Sequence, residues 1–495
     1  MKFRNLIKIV VFPVVAFTAA SFLGKLFLPK WTDDMQPISI SCPAFFKEPD
    51  NTIDVLFLGS CNVYNNISPV TLWDEHNITS YDLTSSDQEV WISYYYLQEA
   101  LKTQSPKVVV LDSLMLTTAF EAKEEYQQQA IDYMPLTPNK IEVALNMKVS
   151  SDQEKWTMLA PKEEKLFSGI SAALPILRYH DRWNSLERED FSYFNTDYNY
   201  IFKGFSPVFR KYVFDGDKNY MEDKNAAIEG VKEKGVLYLT KIQELCKQEG
   251  IELLLVKTPA PLSWNYARYE AIQKVAQEHN IPYIDYNFSL AEIGIEWDCD
   301  FLSHGGARLN YRGAEKFTSF LSKDIMPLLE YKESNISDDV RATWDEASDQ
   351  YQSLKNFYSL SQIDNWQQYM EELKKIPRDS AVIYSVKGES TQTVSLLSSL
   401  SAACGIDNKK TGEMGIYLNG KDILEKKSEQ ESIQSLPSGD IVSISIANDV
   451  SKILINGNDC SKNNDGINVV VYDTQKKVVV DSFSCSTANP EQIVR

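Results

Sequence analysis

The sequence has few of the residues on which most metal and disulfide sites depend. Its 495 residues include seven cysteines and four histidines, and no two cysteines form a CxxC pair. Structural zinc sites use closely spaced ligands, and disulfide scaffolds have a much higher cysteine content, so neither is expected. The sequence implies neither a metal ion nor a soluble cofactor.

Basic residues are also scarce. Lys and Arg number 50 against 69 Asp and Glu, which gives a formal net charge of −19. An acidic surface repels phosphate backbones, so nucleic acid is not an expected partner. With 43% hydrophobic and 24% charged residues the composition is that of a globular protein, and the length predicts about two to four domains.

A long apolar run occurs only at the N-terminus. Residues 9–24 carry no charge and follow Lys2, Arg4 and Lys8. The run is short for a bilayer, but lysines at its ends can reach the interface, so residues 1–30 are predicted to be a membrane anchor. The alternatives are a cleaved signal peptide and a buried soluble helix. The preceding positive charge predicts that the bulk of the chain is extracytoplasmic.

Apolar strands alternate with helices between residues 50 and 330. The predicted strands are 54–58, 107–112, 251–256 and 282–285. The predicted helices are 89–104, 226–249, 264–280 and 311–331. This alternation is typical of the α/β class, in which helices cover both faces of a parallel sheet. Ligands of such proteins bind at the carboxyl ends of the strands.

Residues 113–225 interrupt the alternation. They contain ten aromatic residues between Phe191 and Phe214. We expect an inserted region that packs a small core of its own. The alternative is a wall of aromatic rings on which sugars stack beside the site.

The C-terminal part has a different pattern. Residues 333–377 are polar and are predicted to form a helical connector. From 378 to 495 short strands dominate, with turns at Asn419-Gly420 and Asn456-Gly457 and one helix at about 391–404. This pattern predicts a second, β-rich α+β domain.

Two segments bring reactive side chains to the predicted edge of the sheet. The first strand runs into Gly59-Ser60-Cys61, which offers a hydroxyl and a thiol at a strand-to-helix turn. The loop after the last strand contains Asp300 and His304. An early nucleophile followed by a late base and carboxylate is one order used in acyl chemistry.

These segments resemble those of the SGNH (GDSL-like) hydrolases. The resemblance lies in residues 59–62 and 66–69, in Trp91 to Asp112 and in Leu309 to Thr318. Within that family, the sequence is similar to the membrane-anchored, extracytoplasmic Gram-positive branch, near the D-alanyl-transfer and alginate-type acetyltransferase proteins. For 50–330 it implies a flavodoxin-like three-layer α/β/α sandwich. It also implies an esterase or O-acyltransferase whose partner is a cell-envelope polysaccharide or acyl donor.

The resemblance also implies roles for individual residues. Cys61 or Ser60 would be the nucleophile, His304 the general base and Asp300 the group that orients it. The oxyanion or substrate-binding candidates are Gly59, Gln88, Arg308 and Asn310.

One position departs from the family pattern. Arg308 precedes Leu309-Asn310, where the family has its histidine. Arginine stays protonated and cannot act as a general base. Two hypotheses follow: His304 has taken over as base in an active enzyme, or the protein is a glycan-binding or assembly factor that has lost turnover.

The C-terminal domain resembles the ILEI-type module, a compact β-rich domain of some carbohydrate-associated proteins. The resemblance lies in residues 381–386 and 466–483. Cys460 and Cys485 either pair across its strands or are free thiols. The sequence leaves the oligomeric state open.

Overall fold

The structure is a computed structural model that describes most of the chain. The described residues are 15, 18–30, 38–147, 169–187, 190–191, 202–223, 227–329, 336–377, 379–388, 391–406, 413–424, 431–447, 450–475 and 477–495. The chain divides into two compact units, Met1–Ala347 and Ser348–Arg495. The first contains a parallel sheet and the second contains antiparallel sheets. The protein is therefore α/β with a second, β-rich unit, which confirms the predicted class.

Five parallel strands form the sheet of the first unit. They are β1 (Val55–Gly59), β2 (Ser80–Thr84), β3 (Val108–Asp112), β4 (Glu252–Lys257) and β5 (Tyr283–Asp285). Their order is β2-β1-β3-β4-β5, which is one of the two common doubly wound orders. The four predicted strands match β1, β3, β4 and β5 to within one residue.

Helices surround this sheet. The described helices that begin in this unit are α1 (Ile38–Phe45), α2 (Cys61–Asn66), α3 (Pro69–His76), α4 (Val90–Ala100), α5 (Glu124–Tyr133), α6 (Pro138–Asn146), α7 (Pro175–Arg178), α8 (Glu233–Glu249), α9 (Tyr266–His279), α10 (Leu290–Ile293), α11 (Tyr311–Ile325) and α12 (Asp338–Ser359). The predicted helices correspond to α4, α8, α9 and α11.

Hydrophobic cores lie on both faces of the sheet, because side chains alternate along each strand. Leu56 and Leu58 belong to the core that also contains side chains of α4 and α8. Val55 and Phe57 belong to the core on the opposite face, with Phe317 of α11. Each fully buried side chain of this size contributes about 1.5–3 kcal/mol relative to exposure. The sheet is therefore covered by apolar packing on both faces.

A loop covers the outer edge of β2. The backbone N–H of Asp82 donates to the carbonyl of Lys203 at 2.9 Å. Gly204 has φ +91°, and a Cβ there would lie 2.2 Å from the Asp82 carbonyl oxygen, so only glycine fits. The ammonium of Lys203 is fixed by Glu48 at 2.8 Å and lies 5.0 Å from the ring centroid of Trp344.

Where it is described, the inserted region 113–225 joins the main core rather than building a separate one. Apolar side chains of α5 and α6 pack into the core shared with β1. Phe202, Phe205, Phe209 and Phe214 are buried, so these four aromatic residues pack inside and form no exposed stacking wall. The aromatic residues between 192 and 201 lie outside the described residues.

The N-terminal segment is described only in part. Residues 18–27 are helical, and most of residues 1–17 lie outside the described residues. Within the described part of the chain, every helix is too short or too polar to cross a membrane. The anchor at 1–30 therefore stays a prediction.

The second unit has two antiparallel sheets and two further helices. Its helices are α13 (Trp366–Leu373) and α14 (Thr391–Ala403). Its strands are β6 (Ala381–Lys387), β7 (Met414–Leu418), β8 (Lys421–Asp422), β9 (Glu431–Ser435), β10 (Ile441–Ala447), β11 (Val450–Ile455), β12 (Asn458–Asp459), β13 (Gly466–Asp473), β14 (Val478–Cys485) and β15 (Ile493–Val494). The sheet orders are β15-β14-β13-β6-β7-β8 and β12-β11-β10-β9.

The six-stranded sheet separates two cores. On one face, Ile383 and Val470 pack with Ile444 of the four-stranded sheet. On the other face, Val469 packs with Leu400 of α14 and with side chains of α13. The second unit therefore has three layers, with the six-stranded sheet between the helices on one face and the four-stranded sheet on the other.

The predicted connector 333–377 is helical where it is described, but it is divided between the two units. Trp344 of α12 belongs to the core of the first unit. Phe357, Trp366 and Tyr369 belong to the core beside the six-stranded sheet. The second unit thus begins at Ser348, before residue 378.

Two predicted Asn-Gly turns of the second unit join neighbouring strands. Asn419-Gly420 joins β7 to β8, and Asn456-Gly457 joins β11 to β12. All four residues have positive φ, as type I′ turns require. Cys460 and Cys485 are free thiols and do not form a disulfide.

Candidate functional site

The turn after β1 places two reactive side chains at the carboxyl edge of the parallel sheet. Gly59 has φ +148°, and a Cβ there would lie 2.7 Å from Val63 Cγ2 and 3.0 Å from Asp112 Cβ. Only glycine fits this approach. Ser60 then precedes α2, and Cys61 is the first residue of that helix.

The thiol of Cys61 is a weak acid in this position. Burial raises the pKa of Cys61, while the guanidinium of Arg308 and the hydroxyl of Ser60 partly offset the rise. The net direction is upward, so the thiol is neutral at pH 7. The Ser60 hydroxyl is buried, and no described group lies in hydrogen-bonding geometry with it.

Arg308 lies beside Cys61, where the resemblance puts the base. Its Nη1 donates to Asn65 Oδ1 at 2.7 Å. Burial lowers the pKa of Arg308, but the nearby Cys61, Tyr64 and Asp87 outweigh it and raise the pKa overall. The guanidinium is therefore charged at every physiological pH.

The end of α2 fixes the loop that carries Arg308. Asn66 Oδ1 accepts a hydrogen bond from the backbone N–H of Leu309 at 2.8 Å, and Asn66 Nδ2 donates to the carbonyl of Pro259 at 2.9 Å. Asn65 and Asn66 thus join the first loop of the sheet to the last. Neither was predicted as a site residue, although Asn66 begins the motif 66–69 and Asn65 directly precedes it.

Asp87 completes a cluster with Cys61 and Arg308. It follows β2, has φ +44° and is half-buried. Burial raises the pKa of Asp87, and Arg308, Lys123 and Lys232 act in the opposite direction. No hydrogen bond to its carboxylate is present among the described residues. We name Cys61, Asp87 and Arg308 the open cluster.

His304 does not join the open cluster. Its side chain is exposed, its Nδ1 lies 3.1 Å from the carbonyl of Val213, and its ring is 4.9 Å from that of Tyr212. The glycines that follow it lie close to neighbouring side chains. A Cβ on Gly306 would lie 2.7 Å from the ring of Phe214, so that segment is packed tightly. The expected role of His304 as a base is not supported by this position.

Asp300 belongs to a different cluster. It is fully buried, and its carboxylate accepts from Lys316 Nζ at 2.7 Å, from Arg312 Nε at 3.2 Å and from the backbone N–H of Glu296 at 2.8 Å. Lys316 also bonds Glu296 at 2.6 Å. We name Glu296, Asp300, Arg312 and Lys316 the closed cluster. The structure does not form the predicted Asp300–His304 pair.

Two members of the closed cluster, Glu296 and Asp300, form a group of metal-type ligands together with Cys299. Ligand atoms of Glu296, Cys299 and Asp300 lie within 4.8 Å of one another. Lys316 and Arg312 already neutralise the two carboxylates. Charge and hydrogen-bonding capacity are therefore satisfied by the protein itself.

Gln88 and Asn310 have structural contacts instead of the expected catalytic ones. Gln88 is buried, its Oε1 accepts from Ser85, and its Nε2 donates to Ser93 at 3.0 Å. Asn310 caps α11 by accepting from the backbone N–H of Arg312 and of Gly313. Both side chains are occupied, so neither is available as an oxyanion donor.

A buried ion pair lies beneath the same edge. Lys257 Nζ is 3.5 Å from Asp112 Oδ2, and both side chains are almost completely buried. Asp112 also accepts from the backbone N–H groups of Leu114 and Thr258. Asp112 ends the predicted strand 107–112 and Lys257 directly follows the predicted strand 251–256, so a charged residue at each strand end is the signal that could have identified the pair.

No protein-family model matches this chain, and no curated protein is significantly similar to it.

Proposed function

We propose that this protein is a membrane-anchored, extracytoplasmic relative of the SGNH hydrolases that binds cell-envelope polysaccharide without turning it over. The observation that carries the proposal is the position of Arg308. A permanently charged guanidinium stands beside Cys61, where acyl chemistry needs a proton acceptor.

The state of the other candidate residues supports binding over catalysis. The pKa of Cys61 is raised by burial, so the thiolate that would attack an ester is scarce at neutral pH. His304 is exposed and bonded to a backbone carbonyl, and Asp300 is held by Lys316. None of the three predicted triad members contacts another in the described structure.

The open cluster suggests what part of a polysaccharide would bind. The guanidinium of Arg308 has five N–H donors; Nη1 donates to Asn65, and Tyr64 is a further hydrogen-bond partner of the side chain. Planar N–H donors suit a carboxylate, a phosphate or an ester carbonyl. An acidic or acylated envelope polysaccharide fits this chemistry, and the resemblance of residues 50–330 and 381–483 to envelope and carbohydrate-associated proteins supports it.

One observation favours a second candidate function, acyl transfer through Cys61. The charge of Arg308 lowers the pKa of the thiol, although burial outweighs it. A ligand that changed the burial of Cys61 would change this balance. The Cys61 thiolate could then carry an acyl group to or from the polysaccharide.

The experiment compares turnover with binding on one O-acetylated envelope polysaccharide. Acetate release is measured for the wild type and for Cys61→Ala and His304→Ala. Retention by the immobilised polysaccharide is measured for the wild type and Arg308→Gln. We expect no release above that of the Cys61→Ala protein, and an affinity about tenfold weaker for Arg308→Gln, a loss of ~1.4 kcal/mol.

Arg268→Gln is the matched control. Arg268 is half-buried and pairs with Glu229 at 2.9 Å, away from the open cluster, so its removal should leave retention unchanged. Acetate release that disappears in Cys61→Ala would instead establish the second candidate. Equal retention of wild type and Arg308→Gln would reject the open cluster as the binding site.

A further inference from the structure

Several large apolar side chains are exposed on the described part of the N-terminal helix and on the segments that contact it. On the helix, Val15 is 59% and Phe22 is 54% exposed. Five others lie at the end of the uncharged run or on the contacting segments: Leu23 (37%), Ile170 (37%), Leu177 (43%), Trp183 (69%) and Phe191 (53%). Together we name these five the apolar rim. Single exposed apolar residues are common, but several on one small substructure indicate an interaction surface.

Contacts with the emerging N-terminal chain bring these segments together. Arg182 Nη1 donates to the carbonyl of Phe27 at 2.6 Å. Lys30 Nζ lies 3.7 Å from Asp190. Gly24 is buried, and a Cβ there would lie 3.5 Å from the backbone nitrogen of Ile176. The segments that carry the apolar rim therefore pack around residues 24–30, where the uncharged run ends.

We infer that the apolar rim lies in the outer interface of the lipid bilayer, beside the point where the N-terminal helix leaves it. This rests on the membrane anchoring included in the proposed function. Residues 9–24 contain no charge, and the rim begins at Leu23, one residue before that run ends. A side chain fixed to the last turn of an anchor is held at the depth of the headgroups.

The side chains of the rim suit this location. Trp183 is the most exposed member, and tryptophan is enriched where membrane meets water because its ring is apolar and its N–H is polar. Leu177 lies in α7, next to Ile176, which contacts Gly24. Apolar side chains of this kind insert about 5–10 Å into the boundary between headgroups and acyl chains.

Charge contributes little to this surface. Lys30 and Arg182 both pair with Asp190, and Arg178 pairs with Glu124 at 2.8 Å. Most of the charge of these three cations is thus offset within the protein, while Lys25 at the end of the uncharged run is exposed. Burial of apolar area, rather than attraction to anionic lipids, should hold the rim, so phosphatidylcholine alone should suffice.

The test uses the full-length protein in phosphatidylcholine vesicles with brominated acyl chains, which quench tryptophan emission at short range. The emission of Trp183 is obtained as the difference between the wild type and Trp183→Phe. We expect loss of most of this emission, with bromines near the carbonyl end quenching more than bromines at mid-chain. Raising the salt concentration should not restore it.

Leu262→Trp supplies the matched control. Leu262 is 64% exposed in the loop after β4 and is not part of the rim, so the added tryptophan should keep its emission. An unquenched Trp183 in protein that resists alkaline extraction would overturn the inference and leave the anchor intact. Protein that alkaline carbonate removes from the vesicles would overturn both the inference and the anchor.

Discussion

The open and the closed cluster contrast two uses of charge in adjoining loops. In the closed cluster, buried Asp300 accepts from two cations and one backbone N–H. In the open cluster, Arg308 has Asn65 as a partner while Asp87 has no hydrogen bond among the described residues. Satisfied charges stabilise a fold, whereas incompletely paired charges at a strand end can still bind a ligand.

Removing Asp300 should give the largest effect and test the structural role of the closed cluster. Asp300→Ala leaves Lys316 and Arg312 facing each other without their buried acceptor. We expect the free energy of unfolding to fall by about 3–5 kcal/mol, as when one partner of a buried pair is lost. Urea unfolding measures it. Asp298→Ala, at an exposed neighbouring position, should cost less than about 0.5 kcal/mol.

Asp82 extends the comparison to a buried carboxyl with no partner. Neither oxygen has a hydrogen bond to any part of the chain that the structure describes, and burial raises the pKa of Asp82 well above its usual value. Above about pH 4 the unfolded chain ionises this group and the folded chain does not, so the group lowers stability by about 1.4 kcal/mol for each pH unit until its folded pKa is reached. Asp82→Asn should therefore gain stability over the wild type as pH rises from 5 to 7. A pH-independent difference between the two proteins would contradict this.

The alkylation rate of Cys61 reports the electrostatics of the open cluster. Arg308→Gln removes the cation that lowers the pKa of Cys61, so the thiolate fraction at a given pH should fall. Iodoacetamide should react up to about tenfold more slowly for each unit of pKa increase. Mass spectrometry of the labelled peptides separates the sites. Cys299, whose pKa burial raises to about 11 and which lies near Arg312, is the internal control.

The stability of Arg308→Gln should show the smallest effect. The substitution removes the hydrogen bond from the guanidinium to Asn65, but it also removes a buried charge. We expect the free energy of unfolding to change by about 1 kcal/mol or less. A loss as large as that of Asp300→Ala would mean that Arg308 belongs to the structural charges, and the contrast between the clusters would disappear.

The sequence predicted the sheet well and the site less well, for different physical reasons. β1 and β3 are continuous apolar runs because they are buried on both faces, and such runs are visible locally. The bond between Arg308 and Asn65 joins residues 243 positions apart, and no local pattern reveals it. His304 bonds the carbonyl of Val213 and packs against Tyr212, residues that are about ninety positions earlier in the chain, so its outward position could not be predicted from the local sequence either.

The loop at Lys203 and Gly204 has a consequence for the behaviour of the protein at high concentration. An edge strand with unpaired backbone groups recruits strands of other chains and so nucleates aggregates. The Lys203 carbonyl takes up the N–H of Asp82, and any side chain at position 204 would collide with β2. At the other edge, β5 is three residues long and offers little template. The glycine at 204 therefore helps to keep the protein monodisperse, and replacing it should expose a strand on which copies of the protein could polymerise.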